Sequence, residues 1–158
     1  MPRHQQSVWN RQCRAAKANE WPGIRSRARR WGTALEYHGR NLGYDVSEAA
    51  SGRVVVTAIP DHHHLNPAGT VHGGLAAAML DSCMGLAIHS MLEKAVGSTT
   101  LEFKISLLRP ITSETAPIRA EGIVLSCGRR VGTAEGRITD QQGRLLAHGT
   151  TTCLIFPA

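Results

Sequence analysis

The chain has 158 residues, four cysteines and a formal net charge of +6 at pH 7. This length suits one domain with an appendage and is sufficient for a full hydrophobic core. The cysteines are widely spaced and form no CxxC pair, which argues against a disulfide framework or a zinc site and favours a reducing, cytoplasmic setting. No stretch has the length and apolarity of a membrane span.

The positive charge is concentrated at the N-terminus. Residues 1–30 hold eight Lys or Arg and one acidic residue (net +7), which leaves ten basic and eleven acidic residues (net −1) in 31–158. We interpret residues 1–32 as a basic, partly disordered extension and residues 33–158 as the folded domain. A nucleic-acid or membrane-surface role and a transit peptide are the alternatives for this arm; we expect neither nucleic acid nor membrane as a partner.

Three elements are predicted before the middle of the chain. Residues 25–40 have a helical period, and residues 42–48 could form a first strand. The β-branched run 53–59 predicts a second strand, which Pro60 ends. Residues 61–69 are predicted to be a loop.

The central stretch, residues 75–92, is rich in Ala and Leu and predicts a helix. Its only acidic or basic side chain, His89 aside, is Asp81. A helix that is apolar on nearly every side is expected to be buried. A lone carboxylate there is costly unless it is paired, hydrogen-bonded or used in catalysis. A structural Asp81, bonded to Ser82 or to backbone, is therefore the alternative to a functional one.

Four strands are predicted after the helix. In residues 98–108, Leu101, Phe103, Ile105 and Leu107 alternate with polar side chains, which indicates a half-buried strand. Residues 118–126, 131–139 and 145–156 follow, joined by tight turns. The pattern favours an α+β fold with an antiparallel sheet packed on the helix. The other sheet face would need cover from a partner chain or from the N-terminal helix.

The helix opens at His72-Gly73-Gly74. The N–H groups of a first helical turn have no intrahelical acceptor, and the helix dipole makes this end mildly positive. Such an end can hold a carbonyl oxygen that becomes negative during acyl transfer. Tight helix–sheet packing is the alternative role for the glycines. A phosphate loop is disfavoured because neither a GxGxxG nor a Walker pattern is present.

The spacing between Gly73 and Asp81 limits how they can cooperate. Eight residues of α-helix span about 12 Å, so the two cannot both touch one small carbonyl group of the same substrate. If they cooperate, the helix start must come from a second copy of the chain. This predicts a two-fold dimer with the site at its interface.

Together these residues resemble a known family. The pattern Asn66-x-x-Gly69-x-x-His72-Gly73-Gly74, the acid nine residues after the histidine and the strand in 99–110 resemble the hotdog-fold acyl-CoA thioesterases. The PaaI-like and 4-hydroxybenzoyl-CoA thioesterase group is the most similar branch, over residues 35–156. The resemblance implies a long central helix wrapped by an antiparallel sheet, dimers whose sheets join, often dimers of dimers, and no cofactor.

The resemblance also implies roles for individual residues. Asp81 would be the base or the nucleophile, and the amides of Gly73 and Gly74 would polarise the thioester carbonyl. Asn66 would orient the water or the substrate carbonyl, and His72 would help to position the thioester. Thr100 would lie near the attacking water, although Ser98 and Thr99 are adjacent candidates.

The implied reaction is hydrolysis of an acyl-CoA to the free acid and CoA. The small residues Ala76, Ala77 and Ala78 leave room for an aromatic or medium-length acyl group. Candidate cations for the CoA phosphates are Arg109, Arg129 and Arg130, with a solvated surface charge as the alternative for each. A hotdog protein that binds acyl thioesters without cleaving them, or that is regulatory, is the alternative function; a dehydratase would use a different His/Asp motif.

Two other signals are given less weight. The run Asp61-His62-His63-His64 invites a metal interpretation, but adjacent loop residues rarely converge on one ion, and we expect no metal. Cys83, two residues from Asp81, is interpreted as a small buried hydrophobe rather than a nucleophile.

Overall fold

A computed structural model describes residues 39–93 and 95–157 of the chain. The elements in chain order are β1 (Tyr44–Ala50), β2 (Arg53–Ala58), α1 (Gly73–His89), β3 (Val96–Leu107), β4 (Ile118–Cys127), β5 (Val131–Thr139) and β6 (Leu145–Pro157). The basic extension 1–32 and almost all of the helix predicted at 25–40 lie outside the described residues. No helix in the described part is long and apolar enough to cross a membrane.

The elements predicted within the described residues are present, with shifted ends. β1 begins two residues later than predicted because Gly43 has a left-handed φ of 72° and makes a turn. α1 begins at Gly73, so both glycines lie inside its first turn, and it ends at His89 rather than at residue 92. The loop 61–69 contains a short 3-10 turn, His62–His64, which was not predicted.

The six strands form one antiparallel sheet in the order β1-β2-β4-β5-β6-β3. β1 and β3 are therefore its two edges. All six strands contact α1, which lies on one face of the sheet. The α+β fold with a long helix wrapped by an antiparallel sheet is confirmed.

A row of three glycines lets α1 approach the sheet closely. Gly122 of β4 pairs with Gly136 of β5, which pairs in turn with Gly149 of β6. A Cβ atom at Gly122 would overlap the backbone of Cys83, and one at Gly136 would lie 2.9 Å from side-chain atoms of Leu80. The middle of α1 therefore packs directly against the backbone of the sheet, which sets how closely the helix approaches the sheet.

The two sides of α1 differ in burial. The side that faces the sheet is fully buried (Leu75, Ala76, Met79, Leu80, Cys83, Met84, Ala87 and Ile88). The other side is only half-buried and consists mainly of small residues, with Asp81 among them. The prediction of a helix buried on nearly every side is therefore wrong for this side. Ala76 belongs to the core, whereas Ala77 and Ala78 are on the half-buried side.

On part of the outer sheet face, two arginines each pair with the same two glutamates. Arg53 bonds to both Glu48 (2.9 Å) and Glu121, and Arg119 lies 3.5 Å from Glu48 and 3.0 Å from Glu121. Hydrogen bonds from Arg119 and Arg53 hold the pKa of Glu121 below its usual range, against the opposing effect of burial. This part of the face is polar; its cover by a partner or by the N-terminal helix stays a prediction.

Candidate active site

Asp81 is held by a neighbouring strand. Thr100 of β3 donates its hydroxyl hydrogen to Asp81 Oδ1 at 2.8 Å. Thr100 was named from sequence together with its neighbours Ser98 and Thr99, and the structure places Thr100 against the carboxylate. Gly85, one turn beyond Asp81, borders this region, and a Cβ there would make an ordinary van der Waals contact of 4.0 Å with Thr100 Oγ1.

A β-bulge aims Thr100 at the helix. In the β3–β6 ladder, Thr100 pairs with Cys153 and Glu102 pairs with Thr152, so Leu101 has no partner. Without the bulge, strict alternation would put Thr100 on the same face as Glu102, away from α1. The predicted clean alternation of 98–108 is therefore wrong at Leu101. Bulges of this kind re-aim side chains next to functional sites.

The residue after Asp81 is held from the other sheet edge. The Tyr44 hydroxyl of β1 and Ser82 Oγ are 2.9 Å apart, and Tyr44 is 4% exposed. Burial raises the pKa of the Tyr44 phenol, the Ser82 hydrogen bond lowers it, and the negative charge of Asp81 raises it further. Tyr44 is not predicted from the sequence, because no local pattern marks a residue that meets Ser82 across 38 residues.

The helix start offers one N–H group. His72 caps α1, with its Nδ1 accepting the Gly74 N–H at 2.9 Å. Gly74, named as a donor to the substrate, therefore has its N–H engaged by His72. No partner is found for the Gly73 N–H among the residues that the structure describes. Of the two amides, Gly73 is thus the one available for an oxyanion.

Asn66 organises the loop that leads to this helix start. Its side-chain oxygen accepts the N–H groups of Ala68 (2.9 Å) and Thr70 (3.2 Å), and its amide donates to Thr70 Oγ1 at 2.9 Å. The main chain of His72 then bonds to His64 at 2.7 Å. Within one chain, Asn66 belongs with the helix start and not with Asp81.

The candidate residues form two separate groups in one chain. Asp81 lies in the middle of α1 with Thr100 of β3 bonded to it, while Asn66, His72 and Gly73 gather at the N-terminal end of the helix. α1 runs without a break from Gly73 past Asp81, so the separation of about 12 Å along the axis stands.

The three candidate CoA-binding arginines lie in two different places. Arg129 and Arg130 border an open groove of about 520 Å³ whose other lining residues are Leu154, Ile155, Phe156 and Pro157. Arg109 does not line this groove. It follows β3 beyond Leu107, which lies against Gly73, and donates to the Leu145 carbonyl at 2.5 Å.

The structure also describes Cys83 and the acidic and histidine run that begins at Asp61. Burial raises the pKa of the Cys83 thiol to about 12, so the thiolate needed for nucleophilic attack is scarce at neutral pH. Asp61, His62 and His63 do bring potential ligand atoms within 4.8 Å of one another, so the expectation that they diverge is wrong. Both histidines are exposed, and Asp61 Oδ1 accepts the His63 N–H at 2.9 Å.

Comparisons with known proteins agree on the family. The family model described as the thioesterase superfamily matches residues 68–147, about half of the chain. A Halobacterium salinarum protein provisionally named an esterase is 36% identical over 100 residues; this match covers 60% of the chain here and 64%, less than two thirds, of that relative.

Two solved structures are similar in fold and sequence. A thioesterase family protein from Silicibacter pomeroyi superimposes with a TM-score of 0.74 at 26% identity, covering 82% of this chain and 96% of that one. A mutant of the phenylacetic acid degradation protein PaaI from Thermus thermophilus gives a TM-score of 0.65 at 28% identity, covering 75% and 97%. The chain is a hotdog-fold member of the thioesterase superfamily, similar to the PaaI-like proteins.

Proposed function

We propose that this protein hydrolyses acyl-CoA thioesters to the free acid and CoA. The observation that carries the proposal is the Asp81 carboxylate, oriented by Thr100 at 2.8 Å on the half-buried side of α1, in a chain of the thioesterase superfamily. The carboxylate is neither sealed in the core nor bound in a salt bridge among the described residues. It can therefore meet a substrate.

The chemistry needs a base or nucleophile and an oxyanion donor. As a base, Asp81 takes a proton from water, the hydroxide attacks the thioester carbon, and the C–S bond breaks to release the CoA thiolate. As a nucleophile, Asp81 forms a mixed anhydride that water then hydrolyses. The Gly73 N–H stabilises the negative carbonyl oxygen in both routes, an effect of about 3 kcal/mol per donor.

We assign the complete site to a dimer, because one chain keeps Asp81 and Gly73 about 12 Å apart. The exposed edge strand β3 supports this pairing. Leu101 and Leu107 of this strand are 57% and 56% exposed in the single chain. The same strand carries the site residue Thr100. An apolar edge with unpaired backbone groups is a template for a second strand. A further association into a dimer of dimers is part of the proposal.

CoA would extend from the thioester to the groove beside Arg129 and Arg130. The two guanidinium groups suit phosphates, and the exposed Phe156 offers a flat apolar surface for the adenine. Arg109, at the other end of β3, would serve CoA only if the partner chain brings it near. The acyl group would lie along Ala77, Ala78 and Gly85 of α1, where small side chains leave room for an aromatic or medium-length chain.

A panel of acyl-CoAs tests the proposal, with CoA release followed by chromatography. We expect the wild type to turn over aromatic or medium-chain substrates and Asp81→Asn to lose about 10²- to 10⁴-fold in kcat. Glu114→Gln, which removes an exposed acid in a different part of the chain, is the matched control. Equal activity in wild type and Asp81→Asn would refute the catalytic assignment. Saturable acyl-CoA binding without turnover would favour the binding-only alternative.

A further inference from the structure

The Asp81-Ser82 pair is held by both edges of the sheet. Thr100 reaches Asp81 from β3, and Tyr44 reaches Ser82 from β1. These strands are the first and last in the sheet order, so the two hydrogen bonds come from opposite edges of the sheet to adjacent residues of the same helical turn. A mid-helix serine often bonds back to a carbonyl of its own helix. Ser82 is instead joined to a buried tyrosine.

These two bonds are suited to setting the rotation of α1 about its axis. The sheet side of the helix packs through apolar contacts, which are not directional. The glycine row fixes the depth of the helix rather than its rotation. Side-chain tips lie about 5–6 Å from a helix axis, so a turn of about 20° would move the carboxylate by about 2 Å. Misplacement by 1 Å can lower a rate about 100-fold.

We propose that Tyr44 is a positioning residue of this site, which acts through Ser82 to hold α1 in the rotation that presents Asp81 to Thr100 and to substrate. The proposal rests on the proposed function for its kinetic consequence. The phenol itself stays out of the reaction, since Tyr44 is buried and touches the helix beside Asp81. The sensitivity of its pKa to the charge of Asp81 agrees with this proximity.

The test is Tyr44→Phe, which removes the hydroxyl and keeps the ring. We expect kcat to fall about tenfold with KM within twofold of wild type. Ser82→Ala should give the same fall, Ser82→Thr should keep activity, and the Tyr44→Phe/Ser82→Ala double variant should lose no more than either single one. Ser47→Ala, a hydroxyl removal elsewhere on β1, is the control.

A structural readout separates this proposal from the proposed function. A crystal structure of Tyr44→Phe should show the Asp81–Thr100 hydrogen bond lengthened or broken, and if Tyr44→Phe fails to fold, Ser82→Ala supplies both measurements. An active wild type with unchanged kcat in Tyr44→Phe and Ser82→Ala would overturn the positioning role. If the wild type cleaves no acyl-CoA, the proposed function fails, and an unaltered Asp81–Thr100 distance in the variants then refutes the positioning role separately.

Discussion

At the level of single residues, the orientation of the Asp81 carboxylate depends on the hydroxyl of Thr100. Thr100 bonds to Oδ1 and so leaves Oδ2 to meet water or substrate. A hydrogen bond to a charged group contributes about 1.5–3 kcal/mol, and losing it also frees the carboxylate to rotate. The consequence for catalysis can be measured with substitutions that keep the size of the side chain.

We predict that Thr100→Val lowers kcat about 10- to 100-fold, because the methyl group replaces the donor to Asp81. Thr100→Ser should retain most of the activity. Steady-state kinetics on the best acyl-CoA would measure both, with Thr150→Val, on the exposed outer side of β6, as the control. Thr100→Val with wild-type kcat would show that the hydroxyl has no part in the reaction.

The residues at the helix start and Asp81 could be named as candidates from the sequence because they lie within one short stretch. Their spacing is fixed by the helix, which needs no knowledge of the rest of the fold. Tyr44 was not accessible in this way, since its meeting with Ser82 depends on how the whole sheet wraps α1. The engagement of the Gly74 N–H by His72 also required the side-chain geometry of the cap.

Among the elements, the strands were predictable because alternation and tight turns are local signals. The bulge at Leu101 was not, since it exists only in the register between β3 and β6. The glycine row was missed for the same reason. Gly122, Gly136 and Gly149 are spread over three strands, and only the ladders bring them side by side under α1.

The glycine row leads to a prediction about stability. Gly122→Ala should lower the free energy of unfolding by about 1–3 kcal/mol or more, because the new methyl group meets helix backbone that cannot move aside easily. Thermal and denaturant unfolding would measure the change. Gly128→Ala is the control, since a Cβ there lies 3.4 Å from the nearest atom. Equal loss in the two variants would contradict the close helix–sheet contact as the cause.

At the scale of the whole molecule, the separation of Asp81 from the helix start predicts that one chain alone cannot form a complete site. Gly73→Pro removes the N–H at the first helical position, where proline is well tolerated. The preceding His72 has φ −60° and ψ 134°, the region that a residue before proline prefers. Gly73→Ala adds a Cβ but keeps the N–H, and it is therefore the matched control. We expect Gly73→Pro to lose about 10²- to 10³-fold in kcat relative to Gly73→Ala.

Co-expression of Gly73→Pro with Asp81→Asn then tests whether the site is shared. In a mixed dimer, Asp81 of the first chain meets the intact helix start of the second, so one complete site forms. Random pairing makes half of the dimers mixed, and activity should recover to about a quarter of wild type. If each site lay within one chain, every site would carry a defect and the mixture would be no more active than its parents. Sedimentation of the wild type must show a dimer or larger, and a fully active monomer would refute the shared site directly.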